Sequence, residues 1–168
     1  MNRIDLLFLA GIVSACATEN LSYEDMVVTP SPATAPLDAS LMQAVDVVGT
    51  ATGGNNYLPD GEIERAIADS LNAHGLLVPQ GWFSKTPARY NLALNIQNFQ
   101  IAEGFVSFDG KYLLIDTTEG RIGPAWTTLV EASESIRNGE EASSATERAL
   151  RRNLEQMLKR LHEKPPLA

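Results

Sequence analysis

The sequence predicts an α+β fold, a small antiparallel-rich sheet of about four strands with two helices packed on one face, in the order β-α-β-β-β-α. Three observations carry this. Tyr90, Leu92, Leu94 and Ile96 alternate with Asn91, Ala93, Asn95 and Gln97, which is the period of a strand with one buried and one polar face. Ile63, Ala66, Ile67, Ser70, Leu71 and His74 recur at spacings of three and four, which is the period of a helix with one inward face. Ala142, Ala145, Ala149, Leu150, Leu154, Met157, Leu158 and Leu161 repeat that pattern in a second, longer helix.

Taken in order, Val45-Asp46-Val47-Val48-Gly49-Thr50 is a short strand rich in β-branched residues. Thr52-Gly53-Gly54-Asn55-Asn56 reads as a turn, because it lacks the Lys-Ser/Thr of a phosphate loop and the third glycine of a dinucleotide turn. Asp60, after Pro59, is placed to cap the first helix, which runs to about His74 and is stopped by Gly75. No Cys, Asp or Glu stands at ligand spacing on the face of His74, so a structural role is expected for it. The loop from Pro79 to Pro87 carries adjacent aromatics, Trp82 and Phe83, which either fold back over the core or form a partner contact.

Phe105 to Asp116 is the next alternating strand, with Gly110 as the expected position of a bulge. Thr117-Thr118-Glu119-Gly120 is a turn. Ile122, Trp126, Thr128, Val130 and Ala132 then define a further strand, and Pro124 places it at an edge or a bulge, since proline cannot donate to a central ladder. These three strands should form an antiparallel meander. The last helix runs from about Glu140 to His162 and ends at Pro165-Pro166. Arg148, Arg151, Arg152, Lys159 and Arg160 make it the basic surface of the chain. Glu147–Arg151 and Glu155–Lys159 pairs at i,i+4 explain a solvated face, and a contact with lipid phosphates or an acidic partner is the sharper alternative, through Arg148, Arg151 and Arg152.

The 168 residues suffice for one domain, numbers 41–164, with a tail at 165–168. Apolar content of 44% with 20% charged residues is that of a folding chain rather than a disordered one. A formal charge of −8 argues against nucleic acid as a partner, since duplex binding rests on phosphate neutralisation by Lys and Arg. The single cysteine excludes an intramolecular disulfide.

Residues 1–15 have a different character. Arg3 and the terminal amine precede an apolar run, Leu6 to Val13, too short to cross a hydrocarbon layer of ~30 Å. Val13-Ser14-Ala15-Cys16 closes the run with small residues and the cysteine. That arrangement resembles the lipobox of bacterial lipoproteins, which implies a signal peptide over 1–15 and acylation of Cys16, by diacylglyceryl and palmitate-type chains, as the new N-terminus. Ala17, rather than an aspartate, follows the cysteine, and by that resemblance the outer membrane is favoured. Residues 16–40, with Pro30, Pro32 and Pro36, read as lipid anchor and tether, reaching up to roughly 70 Å if extended at ~3.1 Å per residue. The alternative is that Tyr23, Met26, Val27 and Val28 dock on the domain as an edge strand. On the tether reading, a fragment from about Ser40 should fold alone.

No HExxH, GxSxG or Asp-rich cation loop occurs, and no carboxylate pair is forced together by spacing. We therefore expect no enzyme, no cofactor and no metal. The strand, helix, three-strand, helix order over residues 41–162 resembles the lipopolysaccharide-assembly lipoprotein family of Gram-negative outer membranes. The resemblance rests on layout, with the first helix ending Leu71-Asn72-Ala73-His74-Gly75 and the last closing on Lys159-Arg160-Leu161. It carries over no functional residue, because Cys16 leads into Ala17-Thr18-Glu19-Asn20 instead of the family's Gly-Phe. The expectation is an outer-membrane lipoprotein on the periplasmic face, a non-enzymatic assembly or accessory subunit of an envelope complex. Its partners would be the bilayer through acylated Cys16 and an envelope protein. The alternative is a domain that binds or senses a lipid or glycolipid in an apolar cavity between helices and sheet.

Overall fold

The computed structural model describes residues 21–31, 45–52, 58–77, 90–102, 104–116 and 124–166. The lipobox with Cys16, the turn over 53–56, Trp82 and Phe83, the turn 117–120 and Ile122 lie outside the described residues. The elements are α1 (Tyr23–Met26), β1 (Val45–Thr52), α2 (Asp60–Ala73), β2 (Tyr90–Ala102), β3 (Phe105–Asp116), β4 (Pro124–Ser135) and α3 (Ala142–Glu163).

The sheet has the order β1-β2-β3-β4. The last three strands form the antiparallel meander, and β1 lies parallel to β2, a pairing that needs a crossover connection, here containing α2. Tyr90, Leu92, Leu94 and Ile96 of β2, Val106, Phe108, Tyr112 and Leu114 of β3, and Val130 and Ala132 of β4 are buried in one core with the inner faces of α2 and α3. The alternation seen in the sequence is thus the alternation of burial. Pro124 is the first residue of β4, at the sheet edge, and the ladder slips between Leu114 and Ile115 opposite it, as a residue without an N–H requires.

Two local expectations are corrected. Asp60 is the first helical residue of α2 rather than its cap, which is Pro59; Asp60 and Glu62 instead place carboxylates in the first turn, where the helix dipole favours them. The far end closes as expected. Gly75, at φ +70°, lets its own N–H reach Asn72 O at 2.9 Å and the Leu76 N–H reach Leu71 O at 2.8 Å.

The second correction concerns the bulge. Gly110 pairs in register with both Ile96 and Val130, and the irregularity in β2 lies between Gln97 and Gln100. Asn98 there has φ +54°, which an asparagine tolerates better than a branched residue. The extra residue returns Phe99 to the buried side, where its ring lies 6.3 Å from that of Phe108. Gly110 has a different reason. A Cβ there would stand 2.4 Å from Asn153 Oδ1, so the absence of a side chain makes room for an asparagine of α3.

The folded unit also reaches back to Leu21, ahead of the boundary at residue 41. Leu21, Met26 and Val28 are core residues. Met26, 1% exposed, lies among Ile63, Ala66, Ile67, Leu94, Tyr112, Leu150 and Leu154, and the void left there is about 10 Å³. The docking expected as an alternative is realised by a one-turn helix rather than an edge strand. Its backbone is fastened at both ends: the Ser22 N–H donates to Glu147 Oε1 at 2.7 Å, and the Val28 N–H donates to Ser70 Oγ at 2.9 Å. Ser70 in turn donates to Ala66 O at 2.7 Å. The Arg65 guanidinium lies 3.5 Å from the Tyr23 ring centre.

Candidate functional site

The basic helix face is the first candidate, and its side chains are largely engaged within the protein. Arg148 donates to both carboxylate oxygens of Glu140, to Ser135 O at 3.0 Å, and lies 3.9 Å from Glu134. Arg152 pairs with Glu134 at 2.5 Å. Arg160 donates to Thr128 Oγ1 at 3.0 Å and to the Leu129 carbonyl. These arginines tie α3 to β4 and hold main-chain carbonyls of an edge strand, one means of blunting an edge against pairing with other chains.

Arg151 is exposed and makes no ion pair among the described residues, and Lys159 is likewise exposed. Neither the Glu147–Arg151 nor the Glu155–Lys159 pair forms. Glu147, 8% exposed, is turned inward to the Ser22 N–H. Of the three arginines assigned to a partner, Arg148 and Arg152 are positioned by carboxylates and Arg151 faces solvent.

The electrostatics follow from these contacts. The Arg148 guanidinium, and then the Arg137 N–H, hold the Glu140 carboxyl down from 4.5 to about 2. Burial pushes Glu147 up, against the hydrogen bond from Ser22. The two carboxylates therefore act on stability in opposite directions. The Glu140 contribution is present above its ordinary 4.5 and is lost as pH falls toward about 2. For Glu147, stability is greatest below its ordinary 4.5 and declines as pH rises through its raised folded value. Melting temperatures against pH should show both. Glu140→Gln is expected to be less stable than wild type at pH 7, with the difference closing below pH ~4. Glu147→Gln, which can still accept from Ser22, should gain over wild type at pH 7 and lose that gain in acid; parallel curves for either variant would contradict the assignment.

A second feature is a buried polar node set within the apolar stripe of α3. Asn153, 1% exposed, accepts from Tyr112 OH at 2.7 Å and donates to Val130 O at 2.7 Å. Burial pushes the Tyr112 hydroxyl well above its ordinary range, so it remains a donor. His74 is buried, with Nδ1 2.7 Å from Ser70 O, in the structural role expected.

A third is a groove of about 350 Å³ beside the β2 bulge, lined by Asn98, Gln100, Ser107, Asp109, Glu131 and Ser133 with Phe108 and Ala132. Asn98 Nδ2 donates to Asp109 Oδ2 at 2.7 Å, and Asp109 faces Glu131 across the strands. Among the described residues no group of three His, Cys, Asp or Glu side chains is arranged to hold a metal ion. Among the described residues, the large apolar side chains left exposed, Phe105, Ile115 and Leu129, are dispersed. Phe105 and Ile115 stand at opposite ends of β3, roughly 30 Å apart at strand rise, so they form no continuous patch. Among the described residues no helix is long and apolar enough to cross a membrane.

No family model and no curated protein matches the sequence. Solved structures do match the fold. Protein XCC0632 from Xanthomonas campestris, described as DUF330, aligns with a TM-score of 0.57 at 12% identity, over 82% of this chain and 92% of its own. The hypothetical protein CT253 from Chlamydia trachomatis aligns with a TM-score of 0.51 at 14% identity, over 68% of this chain and 95% of its own. A candidate lipoprotein from Caulobacter crescentus CB15 overlaps at a TM-score of 0.41 and 14% identity, over 74% of this chain and 92% of its own. The first two likenesses show a shared helix-on-sheet fold at nearly the full length of both relatives.

Proposed function

We propose that this chain is a lipid-anchored protein of the bacterial envelope, held at the periplasmic face of the outer membrane through acylated Cys16, and that it serves as a non-enzymatic assembly or accessory subunit of an envelope complex. The observation that carries the reading is the arrangement of the N-terminus. The lipobox-like Val13-Ser14-Ala15-Cys16 ends five positions before Leu21, the first core side chain among the described residues, so the cysteine stands in the sequence where an anchor would adjoin the folded unit. The layout similar to the lipopolysaccharide-assembly lipoproteins supports the same reading.

Among the described residues, the space between helices and sheet beside Met26 is filled: the void there is about 10 Å³, against ~300–1,000 Å³ for typical ligand pockets. The groove of about 350 Å³ is lined mostly by polar residues, so a surface role is the reading taken over carriage of a lipid chain at either place. A surface available to an envelope protein is the open face of the sheet, where Leu129 is exposed. The test is a comparison of wild type and Cys16→Ser in the native envelope. Wild type should fractionate with the outer membrane and cross-link to a defined membrane complex, and the variant should remain an unprocessed or soluble precursor. Unchanged membrane association of Cys16→Ser would refute the anchor, and a wild-type protein that cross-links to no envelope protein would refute the accessory role.

A further inference from the structure

The docking of α1 has a consequence for how an anchored domain would sit. Residues 17–20 are all that lie between Cys16 and Leu21. Whatever their path, five peptide steps span at most roughly 18 Å. Beyond Leu21 the chain is no longer tether: it is held by the burial of Leu21, Met26 and Val28 and by the Ser22–Glu147 and Val28–Ser70 hydrogen bonds. This segment lies against α2 and α3, on the helical side of the sheet. A helix layer and a sheet layer together are on the order of 20 Å thick. A link of at most that length cannot carry the domain away from the lipid, and turning the sheet toward the bilayer would require the whole link to be stretched.

Resting on the reading of Cys16 as acylated, we infer that the domain is held flush with the bilayer, its helical layer at α1 being the membrane-proximal surface and the open face of the sheet pointing away. The partner of this surface is the lipid headgroup layer. Arg65 is exposed on α2 with its guanidinium over the Tyr23 ring of α1, and Glu24 and Asp25 are exposed on α1 itself. The charges are mixed, so the short link, not electrostatic attraction, sets the orientation. The sheet face with Leu129, 48% exposed, is thereby left to a protein partner.

The experiment uses the full chain purified from an envelope that processes lipoproteins, its acylation established by intact mass, in vesicles of phosphatidylethanolamine and phosphatidylglycerol. Asp25→Cys and Leu129→Cys are labelled separately with a fluorophore, and quenching by headgroup spin-labelled lipid is measured. Several-fold stronger quenching at residue 25 than at residue 129 is expected. A Gly-Ser spacer of about 20 residues between Asn20 and Leu21, adding ~25 Å of reach, should bring the two signals together. Equal quenching in the acylated chain without the spacer overturns this inference alone. A difference that survives the spacer overturns the short link as its cause. A mass without acyl groups overturns the anchor and this inference with it.

Discussion

A chain beginning at Ser40 is expected to lose cooperative folding, contrary to the independence anticipated for it from composition. Such a fragment lacks Leu21, Met26 and Val28, which are 7%, 1% and 4% exposed in the intact fold. Each buried side chain of this kind contributes ~1.5–3 kcal/mol, so the three together contribute about 5–9 kcal/mol, an upper figure because denatured chains already bury part of their apolar surface. Whole domains are stable by only ~5–15 kcal/mol. Truncation also uncovers Ile63, Ile67, Leu150 and Leu154 around the place of Met26. Urea unfolding of the fragment should therefore be shallow, with binding of a hydrophobic dye. A chain beginning at Ala17 should unfold in one transition, and a peptide spanning 20–31 added to the fragment should partly restore it. A sharp, wild-type-like transition for the fragment would show that α1 is dispensable.

The second large effect is expected at the contact of Gly110 with Asn153. In Gly110→Ala the new methyl would lie 2.4 Å from Oδ1 and 3.0 Å from Cγ and Nδ2 of Asn153. Asn153 cannot easily give way, because Tyr112 OH and Val130 O hold it, each at 2.7 Å. Overpacking of a core commonly costs about 1–3 kcal/mol, and loss of the two buried hydrogen bonds adds to that. Asn153→Ala should also destabilise by roughly 1–3 kcal/mol, through polar groups left without their partner. The informative quantity is the coupling. Once residue 153 is alanine the clash is gone, so Gly110→Ala in that background should be nearly neutral. Additive losses in the double variant would contradict the contact.

The parts of the fold legible in the sequence are those with sustained periodicity. The twofold alternation of β2 and β3 and the stripes of α2 and α3 each involve several residues whose burial agrees, and Pro124 marks an edge for a reason of hydrogen bonding alone. Met26-Val27-Val28 was ambiguous because one helical turn is too short to display a period, and the prolines after it suggest a tether. The bulge did leave a mark: Gln97-Asn98 separates Ile96 from Phe99, a one-residue slip in the alternation that locates it better than Gly110 did. Asn153 was legible too, lying four residues from both Ala149 and Met157 within the apolar stripe of α3, where a polar residue must find partners. Spacing alone sends Glu147 to solvent, because its true neighbour, Ser22, is 125 residues away in the chain. The same long-range pairing, of Arg152 and Arg148 with Glu134 and Glu140, is invisible to a reading by i,i+4 spacing.

The proposed anchor depends on where the mature chain begins and what its first residue carries. The most direct measurement is the intact mass, with N-terminal peptide mapping, of the protein extracted from outer membranes. It should show a chain starting at Cys16 with a diacylglyceryl thioether and an acylated amine. A chain that retains residues 1–15 and an unmodified Cys16 thiol would contradict it.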